Sequence, residues 1–181
     1  VLVDNRGAAQ AAVERLFLAG HRKIGMIAGP EHVFTARERY LGYEEAFKKA
    51  GIEVQDSLVV HGDYTIAGGA RAMKELAKQN PQMTAVFVSN YEMTVGAMIE
   101  SNEIGIRIPE DLSVIGFDNI EFAKASNPKL SIVTQPTKEI GRNVAELILD
   151  RLDNPTREMP PKEMKLKTSF VEGKSVHILS V

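Results

Sequence analysis

The 181-residue sequence contains no cysteine, which excludes a disulfide scaffold, a thiolate zinc site and a cysteine nucleophile and fits a reducing cytoplasm. No run of about 18 apolar residues occurs, so no segment reads as a membrane span. The opening Val1-Leu2-Val3-Asp4-Asn5 lacks an initiator Met, a charged n-region and an apolar h-region. It does not read as a signal peptide, and the chain is expected to begin in mid-fold. A positive excess is missing as well, with 22 Lys+Arg against 24 Asp+Glu. Domains that hold nucleic acid on their own surface usually carry a clear basic surplus, which argues against direct DNA contact by this stretch. No Gly-x-Gly-x-x-Gly, Walker loop, His-Glu-x-x-His or Gly-x-Ser-x-Gly is found. The four histidines, His21, His32, His61 and His177, show no ligand spacing. No enzyme, metal site or cofactor is therefore expected. Internal repeats and low-complexity segments are absent, and Pro155 to Pro161 is the one linker-like stretch.

With 44% hydrophobic residues, the chain is long enough to bury a real core. Short β-branched runs alternate with longer helical patterns. Strands are predicted at Val1–Val3, Lys23–Ala28, Leu58–His61, Thr84–Ser89, Ser113–Gly116 and Leu130–Thr134. Helices are predicted over Gly7–Ala19, stopped by Gly20; Thr35–Ala50, closed by Gly51; Ile66 to Gln79, with Thr65 as N-cap; and from Asn90 through Asn102. Thr137 is expected to cap a further helix carrying Ile140, Val144, Leu147, Ile148 and Leu152 as one apolar stripe. The tail, Met164–Leu179, reads as a strand pair around Glu172-Gly173. This alternation predicts an α/β fold with a Rossmann-like parallel sheet covered by helices on both faces.

In such sheets ligands bind at the carboxyl ends of strands, which directs attention to a few residues. Thr35 can cap its helix. Arg37 and Arg39 sit in that helix's first turn, where cations oppose the dipole, so each either finds a polar partner or lies on a solvated face. Tyr64 offers a ring that stacks on a sugar or base, or else packs over its own loop. Asn90 offers a donor and an acceptor to a hydroxyl-bearing ligand, or merely caps the next helix. Asp118 can accept from two adjacent hydroxyls, or merely form a turn. Gln135 ends the last strand. Each signal is weak alone, and their coincidence at successive strand ends is the better evidence.

Longer stretches carry a resemblance. Gly20-His21-Arg22-Lys23-Ile24-Gly25 with Ala28-Gly29-Pro30, then Ala36-Arg37-Glu38-Arg39 with Gly42-Tyr43, Ser89-Asn90 and Gly96-Ala97 are similar to LacI/GalR-type transcription regulators. So are Ile108–Asn119 and Leu130–Pro136, and the likeness covers nearly the whole chain in order. It implies a type I periplasmic-binding-protein-like fold of two α/β lobes with a small effector between them. Residues 6–131, completed by 160–181, would form the C-terminal lobe. Residues 1–5 and 135–158 would belong to an N-terminal lobe whose main part, like the helix-turn-helix head, is absent. Thr35, Arg39, Tyr64, Asn90, Asp118 and Gln135 match effector-holding positions. The resemblance further implies a cytoplasmic, homodimeric repressor that senses a sugar or sugar phosphate and meets operator DNA only through the absent head. Three positions depart from the pattern: Tyr91 stands where an acidic residue is usual, Glu172 where Arg is common, and Asn127 where the branch with a phosphorylated carrier protein as corepressor has Arg before the Pro equivalent to Pro128. A periplasmic sugar-binding transport protein shares the fold and is the alternative. A flavodoxin-like α/β enzyme is a further rival, which predicts a nucleophile or base that the sequence does not offer.

Overall fold

The computed structural model describes residues 1–153, 160 and 162–179. Apart from Pro160, the linker-like stretch lies outside these, as do the ends of the segments expected to run to residues 158 and 181. In chain order the elements are β1 (Leu2–Val3), α1 (Asn5–Leu18), β2 (Ile24–Ala28), α2 (Phe34–Ala50), β3 (Val59–His61), α3 (Ile66–Gln79), β4 (Ala85–Val88) and α4 (Tyr91–Glu103). They continue with β5 (Ser113–Phe117), α5 (Ile120–Ala125), β6 (Ser131–Thr134), α6 (Thr137–Asp153), β7 (Lys165–Leu166) and β8 (Ser169–Val171). The main sheet has the order β3-β2-β4-β5-β6-β8. Its first five strands are parallel, and β8 runs antiparallel to β6. β1 and β7 form a separate parallel pair.

The central strands β2, β4 and β5 are buried along their whole length and almost wholly apolar, because both faces are covered. Successive side chains point to opposite faces of a strand, so each strand feeds two cores. Met26, Phe87, Ile115, Phe117 and Val133 meet α1 and α2 in one core, around Leu16, Tyr43 and Phe47. Ile27, Val86, Val88, Val114 and Ile132 meet α3 and α4 in the other, around Met73, Leu76 and Met93. The α3–α4 contact is close because Gly69 and Gly96 lie at it. A Cβ on Gly96 would stand 1.9 Å from the Ile66 carbonyl oxygen.

Local chemistry sets the element ends. Asp4, Thr65, Asn90 and Asn119 accept from backbone amides at the starts of α1, α3, α4 and α5. Gly51 closes α2 in the left-handed region. The expected cap at Thr35 is corrected: α2 begins one residue before it, because Val33 holds the extended N-cap backbone and no side chain caps the helix. Thr137 is likewise the first residue of α6. The short helix α5 went unpredicted.

The expected strand pair in the tail is also corrected. β7 joins β1 and β8 joins β6, so the two tail strands satisfy other edges rather than each other. Glu172-Gly173 makes no hairpin. Beyond it the chain is held by single bonds: the Ser131 amide donates to Ser175 Oγ at 2.8 Å, Ser175 Oγ to the Val114 carbonyl at 2.6 Å and the His177 amide to Ser113 Oγ at 2.9 Å.

Candidate functional site at the carboxyl edge of the sheet

Five parallel strands end on one side of the molecule, and all six residues singled out in the sequence follow those ends or sit on the helix that follows. Thr35 and Arg39 lie on α2 after β2, and Tyr64 follows β3. Asn90, Asp118 and Gln135 follow β4, β5 and β6.

Arg39 is the best-anchored of them. It is 5% exposed and, as the sixth residue of α2, lies just past the first turn where it was expected; its polar partners are internal. Its Nε donates to Asn5 Oδ1 at 2.8 Å and its Nη1 to the Ser89 carbonyl at 2.5 Å. The guanidinium lies 3.7 Å from the Phe117 ring centroid, within cation–π range. Burial pulls the group below the ordinary arginine pKa, opposed by Asp118 and then Tyr64. It stays protonated, because its ordinary pKa lies so high. Arg37, by contrast, is exposed; for it the solvated reading is correct.

Asp118 accepts from Gln135 Nε2 through both carboxylate oxygens, at 2.9 and 2.8 Å. Burial raises its pKa, opposed by the Gln135 donation and the Arg39 charge. The carboxylate is therefore half-buried beside a cation and oriented by an amide. Its backbone is left-handed, φ +67°, as are those of Asn119 (+58°) and Tyr64 (+64°). Each such conformation costs on the order of 1–3 kcal/mol, and such residues gather at functional sites. Among the described residues every non-glycine with positive φ lies at this edge.

The Tyr64 ring covers Gly29, where a Cβ would stand 2.3 Å from the ring. Half of the packing alternative thus holds: the ring lies on the loop after β2. Its hydroxyl is buried without a hydrogen-bond partner, and so is Ser89 Oγ. A buried polar atom without a partner costs about 1–3 kcal/mol, and two at one sheet edge are suited to a polar ligand. Asn90 does cap α4, accepting from the Met93 amide at 3.1 Å, which leaves its NH2 as the group able to face a ligand. Thr35 is half-buried in the first turn of α2.

The structure therefore joins Arg39, Tyr64 and Asp118 electrostatically and Gln135 to Asp118 by hydrogen bonds, whereas Thr35 and Asn90 share only the edge. A cavity of about 540 Å³ is lined by Asp118, Asn119, Ile120, Glu121, Thr134, Gln135 and Thr137. Another of similar volume lies at the amino ends of β5 and β6, by Arg107–Glu110 and Pro128; its charged groups are exposed, so it has none of the buried polarity of the carboxyl edge. Of the three partners of Arg39, sequence reasoning missed Asn5 altogether, while Ser89 and Phe117 stood at marked strand ends beside Asn90 and Asp118 and were not named as site residues. Among the described residues no group of three or more His, Asp or Glu is placed to hold a metal ion, and no helix is long and apolar enough to cross a membrane.

Residues 13–176 match the periplasmic binding protein-like domain family. The chain belongs to this family, in its LacI/GalR-type branch. Its relatives in that branch include the HTH-type transcriptional regulator CelR of Thermobifida fusca, 38% identical over 96% of this chain and 50% of CelR. The HTH-type transcriptional repressor CytR of Escherichia coli is 40% identical over 84% of this chain and 45% of CytR. Among solved structures, a CelR–cellobiose complex superposes with a TM-score of 0.90 at 38% identity, over 96% of this chain and 52% of that one. A sugar-binding LacI-family regulator from Escherichia coli, complexed with phosphate, gives 0.87 at 31% identity, over 99% and 63%. The chain spans about half the length of the curated relatives it matches. These relatives of the LacI/GalR-type domain are transcription regulators and not enzymes.

Proposed function

We propose that this chain is the effector-sensing part of a LacI/GalR-type transcriptional repressor, binding a sugar or sugar phosphate at the carboxyl edge of its sheet. The observation that carries the reading is the grouping of a buried Arg39, an oriented Asp118 carboxylate and the unsatisfied hydroxyls of Tyr64 and Ser89. A carboxylate accepts from vicinal hydroxyls, a guanidinium donates to a hydroxyl or an anionic oxygen, and a tyrosine ring covers the apolar face of a pyranose. Thr35, Asn90 and Gln135 complete the rim. Binding is the role this grouping of donors, acceptors and an aromatic ring suits. That CelR is known in complex with cellobiose supports a sugar. The transport-protein alternative has no such support, since the relatives named are regulators.

In this reading residues 6–131 and 160–181 form one lobe. Residues 1–5 and 135–158 belong to a second lobe, homodimer contacts and operator DNA lie with the assembled regulator in the cytoplasm, and DNA is met through a separate head. Effector binding shifts a two-state equilibrium between lobe angles. A swing from 1:99 to 99:1 needs about 5.5 kcal/mol of differential affinity, within reach of a few charge-assisted bonds at about 1.5–3 kcal/mol each.

Thermal denaturation with cellobiose, ribose and a hexose phosphate tests the proposal. A ligand at a hundredfold excess over Kd stabilises by about 2.7 kcal/mol. At least one sugar is expected to raise the melting temperature of the wild type and not that of Asp118→Ala. A shift that survives the substitution, or none with any sugar, overturns the reading.

A further inference from the structure

Arg39 does not stand alone at the edge of the main sheet; it is tied to the separate β1–β7 pair through one side chain. Asn5 is the first residue of α1 and is 3% exposed. Its Oδ1 accepts from Arg39 Nε at 2.8 Å, and its Nδ2 donates to the Val3 carbonyl at 3.1 Å. Val3 lies in β1, whose register with Leu166 of β7 is backed by the Asp4 amide donating to the Leu166 carbonyl at 2.9 Å. The Asp4 carboxylate adds an ion pair with Lys165 at 2.8 Å. An amide is suited to this place because it presents an acceptor and a donor on one planar group, so turning one end turns the other.

We propose that Asn5 is a positioning residue that couples the pose of Arg39 to the direction of β1 and β7. The inference rests on the reading that Arg39 meets the effector. Coupling free energy is reciprocal: whatever fixes Arg39 narrows the range of β1, and whatever moves β1 reorients Arg39. The remaining Arg39 contacts, to Ser89 and the Phe117 ring, stay within the main sheet, so Asn5 is the side chain that carries the coupling out of it.

Nuclear magnetic resonance of the 181-residue chain tests this without any effector. Asn5→Asp keeps the acceptor for Arg39 and loses the donor to Val3, whereas Asn5→Ala loses both. Arg39→Lys removes the Nε–H while keeping a cation, which guards against the loss of fold that Arg39→Ala invites. One hydrogen bond contributes about 0.5–1.5 kcal/mol, or roughly 2- to 12-fold in an opening equilibrium. Exchange of the Arg39 Nε–H is expected to quicken by that factor in Asn5→Ala and to stay slow in Asn5→Asp. Arg39→Lys is expected to shift the amide resonances of Leu2, Asp4 and Leu166 in the wild type and to leave them unshifted in the Asn5→Asp background. Equal shifts in both backgrounds, or none in the wild type, overturn the coupling. Titration with cellobiose and ribose then separates the two ideas, because absence of binding alongside intact coupling counts against the effector reading alone.

Discussion

Helices α1 and α6 are of similar length and both carry apolar residues at helical spacing, yet they end in opposite environments. α1 buries Ala8, Ala9, Ala12, Val13 and Leu16 against the sheet. α6 buries only Asn143, and its Val144, Ile148, Leu149 and Leu152 are 39%, 53%, 57% and 68% exposed. An isolated helix of this length is marginal in water, since helices draw most of their stability from packing an apolar face. The difference teaches that a stripe in the sequence encodes a neighbour and does not say which one. For α1 the neighbour is the sheet of this chain; for α6 the described residues supply little of it. β1 and β7, two residues each, are likewise little buried.

Substitutions in the two regions sharpen the contrast. The largest effect is expected from Phe47→Ala, which removes a ring packed edge-on to Phe17 at 5.0 Å and against Tyr43 at 4.6 Å. A loss of about 3–5 kcal/mol follows from transfer and cavity terms, measured by chemical denaturation. Gly96→Ala comes next: its methyl would strike the Ile66 carbonyl and the Ala70 amide, both backbone, so α3 and α4 must part at about 1–3 kcal/mol or more. The same denaturation series reads it.

A smaller effect is expected from pH. His21 is buried, with Nδ1 2.9 Å from Thr84 Oγ1 and Nε2 3.0 Å from the His177 carbonyl. Desolvation lowers its pKa from 6.5. A depressed pKa means the folded state resists protonation, so its contribution is full above pH 6.5 and is lost as pH falls below it. Stability is expected to decline as pH falls below about 6.5, and His21→Asn should flatten that decline; an unchanged slope would remove His21 as its source. The smallest effect is expected on α6, where Ile148→Ser and Leu149→Ser should stay within about 0.5 kcal/mol. A loss there comparable with Phe47→Ala would erase the distinction between the two regions.

Much of the fold was legible because its signals are local. Thr65 and Asn90 cap helices as their residue type suggests, Gly51 closes α2, and the parallel strands sit within a residue or two of their apolar runs. Legibility failed where the decisive contact is distant in sequence. The tail strands joined β1 and β6 rather than each other, a choice among edges that no local pattern encodes. At the site, Arg39 and Asp118 stood out as charges at strand ends, and the structure brings them together. Asn5, which fixes Arg39, lies 34 residues away, between a predicted strand and a predicted helix, where nothing local marked it. Thr35 failed as a cap because Val33, without a capping side chain, holds the extended turn into α2.

The main sheet ends on both sides in a strand of three residues, β3 and β8. Edge strands are templates for pairing with another chain, and shortness is one way proteins blunt them. Five parallel strands rich in valine and isoleucine would make an adhesive ribbon if they ran to a long open border. Here that border is cut short on one side and capped by a reversed strand on the other, so the most β-prone segments, Ala85–Val88 and Ser113–Phe117, sit in the middle of the order, away from edges where sheets of neighbouring molecules could fuse into aggregates.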